Sequence, residues 1–159
     1  MVKKLIALAL AFASHGHALA DTFPSNPIRI VVPFSSGGAS DALARTVAER
    51  MSATLKQPVI VENKPGAGTT LASSMVAKAK PDGYTVLFAA SSLGIAPWLY
   101  KNVGYDPLKD FEPVGQLASI THVLAVPAAS PARNVQEFIQ WAKSRNGNVN
   151  YASVGAGTT

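Results

Sequence analysis

The sequence predicts an α/β fold wound from strand–turn–helix units. Three observations predict it: short β-branched apolar runs, a small-residue turn after each run, and apolar residues at helical spacing beyond the turn. Ile28-Arg29-Ile30-Val31-Val32 is apolar almost throughout and reads as a buried parallel strand, closed by Pro33. Ser35-Ser36-Gly37-Gly38-Ala39-Ser40 is the first small-residue turn. Leu43, Val47, Met51 and Leu55 then recur every four residues, with Ala44 and Ala48 on the same side. That spacing predicts an amphipathic helix of about four turns. Ser40 is its expected N-cap, and Asp41 suits the positive end of its dipole.

The unit then repeats. Pro58-Val59-Ile60-Val61-Glu62 reads as a second strand, and Lys64-Pro65-Gly66-Ala67-Gly68 as a second turn. Thr69 or Thr70 is expected to cap a helix carrying Leu71, Met75, Val76 and Ala79. Pro81-Asp82-Gly83 is a turn with glycine where a positive φ costs little. Thr85-Val86-Leu87-Phe88-Ala89-Ala90 predicts a third strand, followed by Ser91-Ser92. Two units ending on a third strand make half of a doubly wound sheet.

The pattern changes after that. Residues 98–107 are rich in aromatics and turn formers and read as surface loop or short helix. Residues 111–125 form an irregularly apolar, extended stretch suited to crossing between lobes. Val135, Phe138, Ile139 and Ala142 share one face of a further helix, with Asn134 as its expected N-cap. Asn148-Val149-Asn150-Tyr151-Ala152-Ser153 reads as a strand, and Val154-Gly155-Ala156-Gly157-Thr158-Thr159 as the start of another turn. The expected division is therefore a first lobe over residues 21–110, then a crossover and an incomplete second lobe over residues 111–159.

The first twenty residues have the order of a signal peptide. Lys3 and Lys4 precede a short apolar run, and Ala18-Leu19-Ala20 supplies small residues before a cut, which is expected after Ala20. The competing reading is a buried N-terminal helix. Cleavage would remove Lys3, Lys4, His15 and His17, taking the formal charge from +5 to +3 and ending any metal reading of His15-Gly16-His17. The mature chain would be periplasmic. At 48% hydrophobic and 14% charged, the composition is that of a globular chain rather than a disordered one. No apolar run reaches the roughly 18 residues a membrane span needs. The remaining cations are scattered, with no basic run interleaved with aromatics, so a nucleic-acid partner is not expected. Cysteine is absent, which excludes disulfides, thiolate nucleophiles and Cys-based zinc sites.

Small-residue turns after strands are where open α/β sheets bind ligands. A helix N-terminus offers unpaired N–H groups and a partial positive charge to a carboxylate or phosphate, and Gly and Ser let the ligand approach the backbone. Tight connection alone would also explain such turns. Gly-x-x-x-x-Gly-Lys-Ser/Thr, Gly-x-Gly-x-x-Gly and Gly-x-Ser-x-Gly are all absent. His122 is the one histidine beyond the leader, in an apolar stretch that suits packing or surface better than catalysis. The acids Asp82, Asp106, Asp110, Glu112 and Glu137 are dispersed, so no metal site and no cofactor are expected. Trp98 and Trp141 read as packing residues.

Five motifs in order resemble the receptors of tripartite tricarboxylate transporters, the Bug family. They are Pro33-Phe34-Ser35-Ser36-Gly37-Gly38-Ala39-Ser40-Asp41 with Ala44-Arg45; Glu62-Asn63-Lys64-Pro65-Gly66-Ala67-Gly68; Pro81-Asp82-Gly83-Tyr84-Thr85; Tyr105-Asp106-Pro107 with Asp110-Phe111-Glu112-Pro113-Val114; and Asn150-Tyr151-Ala152-Ser153 with Gly155-Ala156-Gly157-Thr158. Thr69 and Ala72 depart from the family's usual glycines. The resemblance implies the N-terminal portion of a type II periplasmic binding protein, a Venus flytrap. It implies a small carboxylate (dicarboxylate, tricarboxylate or acidic amino acid) held by backbone amides of one turn from each lobe. By position these are Phe34, Ser35, Ser36, Gly37, Gly38, Ser40 and Asp41 in the first lobe, and Ser153, Gly155, Gly157, Thr158 and Thr159 in the second, with Ser91 also at the cleft. It further implies a non-enzymatic monomer that hands its cargo to membrane permease subunits. Family members continue past Thr159, so the chain is expected to be a fragment with impaired binding. Two alternatives stand beside this reading: an exported serine hydrolase using Ser35 or Ser36 with His122, and a periplasmic ligand sensor for a two-component system.

Overall fold

The computed structural model describes residues 22–153 and Thr158. The expected leader, its cut after Ala20, and Gly155, Gly157 and Thr159 lie outside the described residues. The elements run β1 (Ile28–Val32), α1 (Ala39–Leu55), β2 (Val59–Asn63), a 3-10 turn (Ala67–Thr69), α2 (Thr70–Ala77), β3 (Thr85–Leu87), α3 (Ser92–Leu99) and α4 (Val135–Ser144).

The strands form one parallel sheet in the order β2-β1-β3. Ile28 faces Val59 and Val32 faces Asn63 along one side of β1, while Arg29 to Val31 pair with Thr85 to Leu87 along the other. The central place of β1 explains its near-continuous apolar run: Ile28, Ile30, Val31 and Val32 are each 4% exposed or less. Ile30 and Val32 meet Ala44 and Ala48 of α1, with Phe34, Val47, Met51, Val59, Val61 and Phe88 packed around them. The alanines let the helix lie close to the sheet. Burial of each large β1 side chain contributes about 1.5–3 kcal/mol. Val31 alternates to the other face, and α2 packs against β1 and β3. This is the expected doubly wound α/β half. Leu108 (91% exposed), Trp98 (90%) and Val114 (89%) stand in solvent.

Several expectations change. The N-cap of α1 is Gly38, with no side-chain cap, instead of Ser40. Asp41 explains this, because its carboxylate reaches back to the Gly37 N–H at 2.9 Å and satisfies that donor from inside the helix. Thr69 does precede α2, but with φ 76 and no capping bond. Its hydroxyl donates instead to Ser92 Oγ at 2.8 Å, and the Thr70 hydroxyl donates to the Ala67 carbonyl. The third strand stops at Leu87, and a helix over Ser92–Leu99 starts before the stretch at residues 98–107 that reads as surface loop or short helix. Pro97 lies inside that helix, has no N–H to give the Leu93 carbonyl, and the Tyr105 hydroxyl donates to that carbonyl at 3.1 Å. Residues 148–153 form no strand, having no ladder partner among the described residues. Asn134 does cap α4, accepting from the Glu137 N–H at 2.9 Å. Residues 111–126 carry no regular secondary structure and are exposed apart from half-buried Phe111.

Candidate functional site

Because all three strands are parallel, the turns that follow them leave from one edge of the sheet, where open α/β folds place their ligands. The turn after β1 is anchored by Phe34, which packs on the core. Ser35, Ser36, Gly37 and Gly38 follow it in solvent, and Ser40 is half-buried in the first turn of α1. Gly37 takes φ +87, a conformation that favours glycine, with open space where a Cβ would stand.

Asp41 is the fixed point of this turn. It is 4% exposed, yet both oxygens are used. Oδ2 accepts from the Gly37 N–H at 2.9 Å and from Arg45 Nε at 3.0 Å, and Oδ1 accepts from Asn63 Nδ2 at 3.0 Å. The Arg45 guanidinium first, then the Gly37 amide and Asn63, hold its carboxyl down at about 2 against the opposing effect of burial. Asn63 completes the cluster. Its Nδ2 also donates to the Phe34 carbonyl at 3.0 Å, and its Oδ1 accepts from Arg45 Nη2 at 3.2 Å. The last residue of β2 thus grips both ends of the turn after β1.

The Gly37 amide is therefore spent inside the protein, while the first-turn amides of α1, at Ala39 and Ser40, have no intrahelical acceptor. Such a helix start, with glycines before it, attracts a carboxylate or phosphate. The negative charge of Asp41 in the same turn is offset by its ion pair with Arg45.

The turn after β2 runs through four consecutive positive φ values: Gly66 (139), Ala67 (47), Gly68 (59) and Thr69 (76). Thr69 joins it to Ser92, so this turn and the start of α3 are bonded together. Ser91 is exposed beside buried Ser92, and its carbonyl accepts from the Gly94 and Ile95 amides at 3.1 and 3.2 Å. Residues 34–41 and Ser91 thus share the carboxyl edge. Of the turn expected in a second lobe, only Ser153, exposed, and Thr158, half-buried, are described. His122 is exposed, and no hydrogen bond joins it to Ser35 or Ser36 among the described residues. No group of three or more His, Asp or Glu suited to a metal occurs among the described residues, and no described helix is long and apolar enough to cross a membrane. Asn63 and Arg45 are absent from the sequence-derived site, although both lie inside motifs quoted for the resemblance.

Comparison with known proteins extends these findings. Residues 43–159 match the family described as Tripartite tricarboxylate transporter family receptor. A UPF0065 protein of Bordetella pertussis is 41% identical over 160 residues, covering 100% of this chain and 49% of the relative. Protein BugT of the same organism is 34% identical over 157 residues, covering 96% of this chain and 48% of the relative. The chain spans about half the length of the curated relatives it matches. Among solved structures, the periplasmic binding protein BugD superposes with TM-score 0.64 at 40% identity, over 77% of this chain and 41% of its own. An R. palustris protein, Rpa4515, solved with adipate gives TM-score 0.72 at 35% identity, over 77% and 42%. MatC from Rhodopseudomonas palustris with bound malate gives 0.63 at 33%, over the same shares.

Proposed function

The chain belongs to the tripartite tricarboxylate transporter receptors, the Bug family of periplasmic solute-binding proteins, and from that premise we propose that it forms part of a non-enzymatic receptor for a small carboxylate. The ligand class is a dicarboxylate, tricarboxylate or acidic amino acid. Two similar proteins solved with adipate and with malate support that class. The observation that carries the reading is the turn at residues 34–41, which sets the start of α1 at the carboxyl edge of a parallel sheet. A carboxylate there accepts from first-turn amides and from the hydroxyls of Ser35, Ser36 and Ser40. Phe34, Gly37 and Gly38 shape the approach, Ser91 borders it, and Asp41 acts by holding the turn, since both its oxygens are occupied.

A dicarboxylate has two charged ends. The second is assigned to the turn of Ser153, Gly155, Gly157, Thr158 and Thr159, in the other lobe of a Venus flytrap. The receptor acts in the periplasm after removal of residues 1–20, and delivers its cargo as a monomer to membrane permease subunits. Titration calorimetry of the whole receptor that contains this chain, against malate, adipate, citrate and aspartate, tests the reading. Saturable heat with one or more of them is expected, and no heat with any of the four overturns it.

A further inference from the structure

We propose that Asn63 is a positioning residue for carboxylate capture, its carboxamide holding the turn of residues 34–41 in its binding shape. The inference rests on the reading above and deepens it. Asn63 is the last residue of β2, on a different element from the turn it holds, and every polar atom of its side chain is used. One amide hydrogen goes to the Phe34 carbonyl and the other to Asp41 Oδ1, each at 3.0 Å, while Oδ1 takes Arg45 Nη2 at 3.2 Å. Phe34 opens the turn and Asp41 closes it, so one planar group sets the distance between the two ends. Asp41 passes the constraint on to the Gly37 amide at 2.9 Å, in the middle of the turn. Asparagine alone supplies two donors and an acceptor in one plane at this length; an aspartate there offers acceptors only.

The charge logic gives a distinctive test. Asn63→Asp places a second carboxylate against Asp41, sharing Arg45, with Glu62 and Lys64 as its neighbours on the strand and in the following turn. Near pH 7 the new group both loses its donors and repels Asp41; toward about pH 4 it takes up a proton and donates again. Malate and adipate binding are measured for wild type and variant in parallel by calorimetry. The expected deficit is about tenfold near pH 7, narrowing as the pH falls. A deficit within about twofold, or one that does not change with pH, overturns the proposal. If Asn63→Asp does not fold, Asn63→Ala decides: affinity lowered about threefold or more supports the role, and unchanged affinity overturns it.

If the wild-type receptor that contains this chain binds none of the ligands, the receptor reading fails by itself. Hydrogen exchange at the Gly37 amide then judges Asn63 separately. Exchange about tenfold faster in Asn63→Asp near pH 7, with the gap closing in acid, supports the positioning role, whereas equal rates overturn it.

Discussion

The Tyr105 hydroxyl donates to the Leu93 carbonyl at 3.1 Å, taking the place of the amide hydrogen that Pro97 lacks four residues along α3. Tyr105 is 9% exposed, and burial pushes its phenol above the usual value. Removing the hydroxyl leaves the Leu93 carbonyl short of a partner. Tyr105→Phe is expected to cost about 1–2 kcal/mol in urea unfolding. Pro97→Ala restores the helical donor, so in that background the same change is expected to cost less than half as much. Equal penalties in both backgrounds would show that the hydroxyl is not standing in for the amide.

Thr69 and Ser92 form a second substitutable pair. Their hydroxyls meet at 2.8 Å, with both residues buried, and Thr69 has φ 76, which costs a β-branched residue roughly 1–3 kcal/mol. Ser92→Ala strands a buried donor while keeping the strain, and is expected to destabilise by about 1–3 kcal/mol. Thr69→Gly loses the same bond but relieves the strain, so its effect is expected to stay within about 1 kcal/mol of zero. Chemical denaturation of the two variants checks the order, and a larger loss for Thr69→Gly would contradict it.

Acid should expose the Asp41 cluster. Its carboxyl is lowered from 3.8 to about 2 by Arg45, the Gly37 amide and Asn63. A group lowered on folding stabilises the protein above its unfolded value and loses that contribution as the pH falls toward its folded value. The expected signature is stability falling between about pH 4 and about pH 2, with a shallower fall in Asp41→Asn. Thermal melts across that window measure it. Parallel slopes in wild type and variant would remove Asp41 from the account.

Two glycines offer the same substitution with opposite signs. Gly37 has φ +87 and Gly94 lies inside α3, and neither has an atom within 4 Å of an added Cβ. Space is thus equal and backbone conformation decides. Gly37→Ala is expected to destabilise by about 1–2 kcal/mol and to weaken carboxylate binding. Gly94→Ala is expected to stabilise by about 0.5–1 kcal/mol and to leave binding unchanged. Melting temperatures and calorimetry on both variants test the contrast.

The parts legible in the sequence are those where one residue's environment is set by its near neighbours. The run 28–32 announces β1 because a central parallel strand is apolar on both faces. The fourfold spacing from Leu43 announces α1 because it is the helical repeat. Helix α3 is hidden by Gly94 and Pro97, two helix breakers; the carbonyl that Pro97 leaves without its amide is met from outside the helix by Tyr105. Residues 148–153 have strand composition, but a strand is made by its ladder partner, and none stands beside them among the described residues. At the candidate site, the glycines and serines of residues 34–41 are readable as a turn. The part of Asn63 is not, because its partners lie 22 and 29 residues away and no local pattern records them.

The position of β1 bears on the order of folding. Among the described residues it is the first strand in sequence and the middle one in space, and its two flanks are filled by residues 59–63 and 85–87. A polypeptide made from its N-terminus cannot complete this three-stranded sheet until Leu87 has been added. Such late closure is inherent in parallel pairing, whose contacts join residues far apart in sequence.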